Sequence, residues 1–191
     1  MKNVLHALRQ RKFQALAATA IAAGAVAAVV PAVAASASPT AAATPRCGNS
    51  AVRAWLGVPG DGAAGSTYYQ LELSNISGHA CTLYGYPGVS AIGLGGVQLG
   101  SAAGRSAGDP EHVVTLAKGA TAHVLLQVTD TGVYSKSVCE PKSAVGLKVY
   151  PPNDTAAQTV PFTFSACSKK GPVYLHVRVT VAGTGIPGYS N

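Results

Sequence analysis

The chain has 191 residues, enough for one domain or at most two, and carries 14 Lys plus Arg against 7 Asp plus Glu. Four of the cations (Lys2, Arg9, Arg11, Lys12) fall in the first dozen residues, so residues 38–191 keep ten against seven and the net charge drops from +7 to +3. With no later basic run longer than Lys169-Lys170, the chain lacks the concentrated cationic face of a nucleic-acid binder, and at 11% charged and 48% hydrophobic residues it is no disordered polyelectrolyte tail.

Residues 1–13 are positively charged, residues 15–30 form an uncharged run, and Pro31 then leads into small residues, the order of a secretory signal. Cleavage is expected after Ala34 or Ala37. A retained membrane anchor is the rival reading, but the run is rich in weakly hydrophobic Ala and ends in a cleavage signature. The first cysteine, Cys47, follows Ala43-Thr44-Pro45-Arg46, which is no lipobox, and Gln10 splits Arg9 from Arg11, which disfavours twin-arginine export. The expected organisation is a signal peptide over 1–37, an Ala/Pro/Thr linker over 38–46, a domain over 47–182 and a C-terminal tail over 183–191. The product is expected outside the cell, free or at the wall, with no membrane association after cleavage.

Within the domain, period-two alternation dominates and no helical stripe stands out. Short strands are predicted at Ala51–Val58, Tyr68–Asn75, Cys81–Tyr84, Val89–Leu94, His112–Leu116, Ala122–Val128, Gly146–Tyr150, Thr159–Phe164 and Val173–Val181. In the second, Tyr69, Leu71 and Leu73 take one face while Gln70, Glu72 and Ser74 take the other. In the last, Val173, Leu175, Val177, Val179 and Val181 point inward. Turn signals separate them, among them Pro59-Gly60-Asp61-Gly62, Tyr86-Pro87-Gly88 and Lys169-Lys170-Gly171-Pro172. About eight short strands without helical crossovers predict an all-β, antiparallel sandwich. Trp55, near Cys47, is expected in the core.

Four cysteines, Cys47, Cys81, Cys139 and Cys167, remain after cleavage and read as two disulfides, for which three connectivities exist. Sequential pairing, Cys47–Cys81 and Cys139–Cys167, is favoured: each closes a loop of about 30 residues and stabilises by roughly 3–4 kcal/mol. Zinc and C-x-x-C redox chemistry need closer spacings than any found here.

The string Cys81-Thr82-Leu83-Tyr84-Gly85-Tyr86-Pro87-Gly88-Val89, with Leu71-Glu72-Leu73-Ser74-Asn75-Ile76-Ser77 before it and Val114-Thr115-Leu116-Ala117-Lys118-Gly119 after it, resembles the actinobacterial exported family called domain of unknown function 4232. Cys139-Glu140-Pro141, Gly146 to Pro152 and Cys167-Ser168 are similar to it as well, so the resemblance spans about residues 47–182. It implies an immunoglobulin-like sandwich and carries no catalytic residue. Read physically, Tyr86-Pro87-Gly88 is a tight turn with Gly88 expected at positive φ.

Residues able to carry chemistry are sparse. Gly104-Arg105-Ser106-Ala107-Gly108 matches a G-x-S-x-G nucleophile pattern, but its context is irregular where an elbow needs a strand before and a helix after. Gly93-Leu94-Gly95-Gly96 precedes no helix to hold a phosphate. His79, His112, His123 and His176 are scattered and read as surface imidazoles; Glu72 reads as a solvated mid-strand acid, and the other acids sit at turns. No metal, cofactor or catalytic residue is expected. The stripe Tyr174, His176, Arg178 is the candidate binding surface, since Tyr and Arg favour interfaces. The functional expectation is a non-enzymatic module binding an extracellular protein or cell-wall glycan at or outside the envelope. Alternatives are a protease inhibitor offering the Gly93–Asp109 loop and, less favoured, a hydrolase using Ser106 or a His/Asp pair.

Overall fold

Alternating residues make strands because successive side chains leave the backbone on opposite faces, and in the computed structural model, which describes residues 43–185, the pattern runs through twelve strands. They are β1 (Val52–Ala63), β2 (Ser66–Asn75), β3 (Cys81–Tyr84), β4 (Gly88–Ile92), β5 (Gln98–Leu99), β6 (Gly104–Arg105), β7 (Val113–Leu116), β8 (Thr121–Thr129), β9 (Pro141–Tyr150), β10 (Gln158–Cys167), β11 (Leu175–Val177) and β12 (Val181–Ala182). The expected signal peptide, most of the expected linker and the last six residues of the expected tail lie outside the described residues.

One sheet has the order β1-β2-β8-β11-β6, with β12 also on β8; a second is β10-β9-β4-β5; β3 and β7 pair as a ribbon. The longest ladder joins β2 to β8 from Ser66↔Thr129 to Ser74↔Thr121. It sends Leu71, Leu73, Val124 and Leu126 into the interior, where they meet Leu147 and Val149 of β9, all with no exposure. Each such side chain stabilises by roughly 1.5–3 kcal/mol relative to exposure. The fold is the expected all-β sandwich, with both disulfides paired sequentially: Cys47–Cys81 at a Cα separation of 4.9 Å and Cys139–Cys167 at 4.5 Å. The second closes the open end of the β9–β10 hairpin, where Pro141 faces Cys167, and so extends both strands beyond their predicted ends.

Several local expectations are corrected. The chain does not turn at Pro59-Gly60-Asp61-Gly62; β1 runs through it with register shifts beside Pro59, and the reversal falls on Ala64 and Gly65 at φ 48° and 75°. An edge strand tolerates this proline because only one side of β1 must keep its ladder. The positive φ expected at Gly88 is found at Gly85 (84°), whereas Gly88 opens β4 opposite Tyr150, where a Cβ would come within 3.3 Å of the tyrosine side chain. The predicted strand Val173–Val181 is broken in two: Thr180 turns its N–H to the Gly85 carbonyl, 3.0 Å away. β11 also pairs with β6 in parallel, so the sheets are not wholly antiparallel. A single helical turn at Lys136–Cys139 had no sequence signal. Trp55 is 41% exposed, because Val52 and Ala54 take the inward positions of β1 and alternation turns Trp55 out, its Nε1 donating to Ser74 Oγ at 2.9 Å.

Candidate binding surface

The stripe expected from Tyr174, His176 and Arg178 does not form. Tyr174 precedes β11, off the strand alternation, and its side chain is fully buried; its hydroxyl donates to the Leu99 carbonyl at 3.0 Å. Burial pushes its phenol pKa up. Its neighbour Val173, expected inside, is 39% exposed. His176 is half-buried under β6: it pairs with Gly104, where a Cβ would lie 3.0 Å from its ring. Arg178 lies against Gly108 and lines a very small cavity with Gln70, Asp109 and His123. Tyr174→Phe removes the only donor the buried Leu99 carbonyl has from this ring, so a destabilisation of about 1–2 kcal/mol is expected in denaturant melts.

The other sequence candidates disperse as well. Ser106 follows a two-residue strand and enters irregular chain, with its N–H on the Val177 carbonyl at 2.9 Å; it stands on no strand-to-helix elbow. The Gly93–Asp109 stretch is not an extended loop. It winds through a 3-10 turn at Leu94–Gly96 closed by Gly93 N–H on Val97 O, then supplies β5 and β6, leaving Leu94 and Val97 exposed. His79 and His112 are exposed, and among the described residues no three His, Cys, Asp or Glu are grouped to hold a metal.

Two polar residues assigned to the surface are buried. Glu72 is 2% and His123 5% exposed, and they are direct cross-strand neighbours on the outer face of β2 and β8. The segment Val181–Gly185 lies over them: Gly183 O receives His123 Nδ1 at 2.8 Å, and Gly185 N–H donates to Glu72 Oε1 at 3.1 Å. Desolvation pushes the Glu72 carboxyl up to about 7, against the opposing pull of the Gly185 hydrogen bond.

An open surface with aromatic lining lies where the two sheets meet beside the β1–β2 hairpin. A groove of about 430 Å³ opens there, lined by Tyr69, Phe164, Ser66, Thr129, Asp130 and Ser165 among others. Behind it the rings form a continuous step: Tyr69 meets Phe162 edge-on at 4.8 Å between centroids, and Phe162 stacks on Phe164 at 4.7 Å. All three rings are half-buried. The rim is hydroxylic. Ser66 Oγ lies 3.2 Å from Thr129 Oγ1, Thr131 Oγ1 lies 2.9 Å from Ser165 Oγ, and Asp130 Oδ1 accepts the Gly132 N–H. Apolar rings under a hydroxyl rim can bind a ligand that has both an apolar face and many polar edges. The sequence signal was the alternation Pro161-Phe162-Thr163-Phe164-Ser165; what hid it was that Tyr69 and Asp130 are distant in the chain.

No curated protein and no solved structure matches the chain. The model of the family described as "Domain of unknown function (DUF4232)" matches residues 47–183, the domain bounded by the first disulfide and the start of the tail. The chain therefore belongs to the DUF4232 domain family.

Proposed function

We propose that the protein is an exported, non-enzymatic, immunoglobulin-like binding module and that the groove beside the β1–β2 hairpin takes a segment of extracellular or cell-wall glycan. The observation that carries this reading is the ring step Tyr69–Phe162–Phe164 beneath a rim of Ser, Thr and Asp. A sugar ring offers an apolar C–H face to such rings and hydroxyls to such a rim. At about 430 Å³ the groove falls in the size range of small-ligand sites, roughly 300–1,000 Å³. Two disulfides support an oxidising location. The inhibitor reading is weaker, since proteases take extended segments and the Gly93–Val97 stretch is wound into a turn.

The test is a calorimetric titration of the oxidised chain with soluble cell-wall glycan fragments. Saturable binding is expected, weakened about tenfold or more, ~1.4 kcal/mol, by Phe164→Ala. Tyr84→Ala, on an exposed residue of the β3–β7 ribbon outside the groove, leaves it unchanged. Failure to bind any fragment, or equal binding by Phe164→Ala, would overturn the assignment.

A further inference from the structure

The outer face of β2 and β8 carries a polar set, Gln70, Glu72 and His123, which the chain then seals with its own C-terminal segment. Among the described residues the following bonds make the seal. β12 pairs with β8 only at Val181↔His123 and Ala182↔Ala122, Gly183 N–H donates to Thr121 O at 2.9 Å, and beyond that the segment is held by Gly183 O on His123 and Gly185 N–H on Glu72. The fit at its end is close: a Cβ on Gly185 would run into the Gln70 side chain. Glu72 Oε2 is buried without a hydrogen-bond partner among the described residues.

From this geometry we propose that Glu72 is a pH-responsive catch, holding the segment Val181–Gly185 down while its carboxyl is neutral and releasing it when the carboxyl ionises. From β1 the facing residues are Trp55, directly opposite, and Gly57, neither of them titratable, with the cationic Arg53 two residues along the same face, opposite Ser74. From β8 it is His123, and beside His123 the small cavity adds Arg178 and Asp109. The segment itself, Val181-Ala182-Gly183-Thr184-Gly185, has no titratable side chain.

A carbonyl only accepts, so His123 Nδ1 is the donor in its bond to Gly183 O. For Glu72, burial sets the folded carboxyl at about 7 against 4.5 for the free group. The docked form therefore loses stability as pH climbs from 4.5 through 7, where the unfolded or lifted carboxyl ionises first. Once charged, Oε2 is solvated only if the segment lifts, and the covered face then becomes available to solvent.

Amide hydrogen exchange of Gly183 and Gly185 in the full chain, corrected for the intrinsic pH dependence of exchange, tests this. Protection is expected to fall at least tenfold between pH 5.5 and 8.5, while core amides such as Leu126 keep theirs. Glu72→Gln, neutral at every pH, is expected to hold protection constant. Equal protection at both pH values, or the same loss in Glu72→Gln, overturns the proposal. Should Glu72→Gln fail to fold, the carboxyl carbon shift of Glu72 in the unsubstituted chain decides: a midpoint near 7 supports the catch and one near 4.5 removes it.

Discussion

Replacing Cys47 and Cys81 together by alanine is expected to lower the stability of the domain by about 4 kcal/mol, and its Tm by roughly 10 °C. The bond closes a loop of 34 residues, and in the chain-entropy model its loss frees that loop in the unfolded ensemble. Both sulfurs are buried, at 2% and 0% exposure, so the loss also opens space in the core. Its structural consequence should be local first. The segment before β1 is attached to β3 by Cys47 N–H on Thr82 O at 2.8 Å and Thr82 N–H on Pro45 O at 2.9 Å, with Thr82 Oγ1 on Pro45 O at 3.3 Å, and without the covalent tie its contact with β3 rests on these hydrogen bonds. Thermal melts of the double variant, with exchange of the Thr82 amide, check both parts. A drop in Tm under about 3 °C would show that the reduced ensemble keeps this loop closed without the bond.

Asn75→Ala is expected to destabilise by about 3 kcal/mol, more than most buried polar truncations. The side chain is 2% exposed and stands where β2 ends and the chain bends away. Its Nδ2 reaches the carbonyls of His79, Leu116 and Ala117 at 2.9, 3.0 and 3.1 Å, and its Oδ1 accepts from Ser77 N–H and Oγ at 2.9 and 2.7 Å. One amide thus ties the bend after β2 to the β7–β8 connection. Alanine strands those groups, and each buried group left without a partner costs about 1–3 kcal/mol. Ser77→Ala removes only one donor from Oδ1 and should cost no more than about 1 kcal/mol. Urea melts of the two variants side by side give the comparison, and a loss near zero for Asn75→Ala would mean that water replaces the amide. Although Asn75-Ile76-Ser77 is a glycosylation sequon, the same burial leaves its Nδ2 engaged within the fold.

What the sequence determined was whatever depends on neighbours along the chain. Alternation chose the inward face of β2 and β8 correctly at Leu71, Leu73, Val124 and Leu126, because a strand's period fixes which residues share a face. Cysteine spacing sufficed for the two pairings, and the string from Cys81 to Val89 for the family. Only the tertiary structure decided what covers the other face. Period two says that Gln70, Glu72 and His123 oppose the core, but a second layer supplied by Val181–Gly185, about 60 residues beyond His123 and over 110 beyond Glu72, buries them all the same. Tyr174 failed for a related reason: a residue just off a strand end no longer obeys its alternation, so packing against Leu99 placed it. The groove was invisible because its parts, Tyr69, Asp130 and Phe164, come from separate elements and meet only when the two sheets pack. Local periodicity specifies orientation within a strand; contact between distant segments is set by burial and hydrogen bonding in three dimensions.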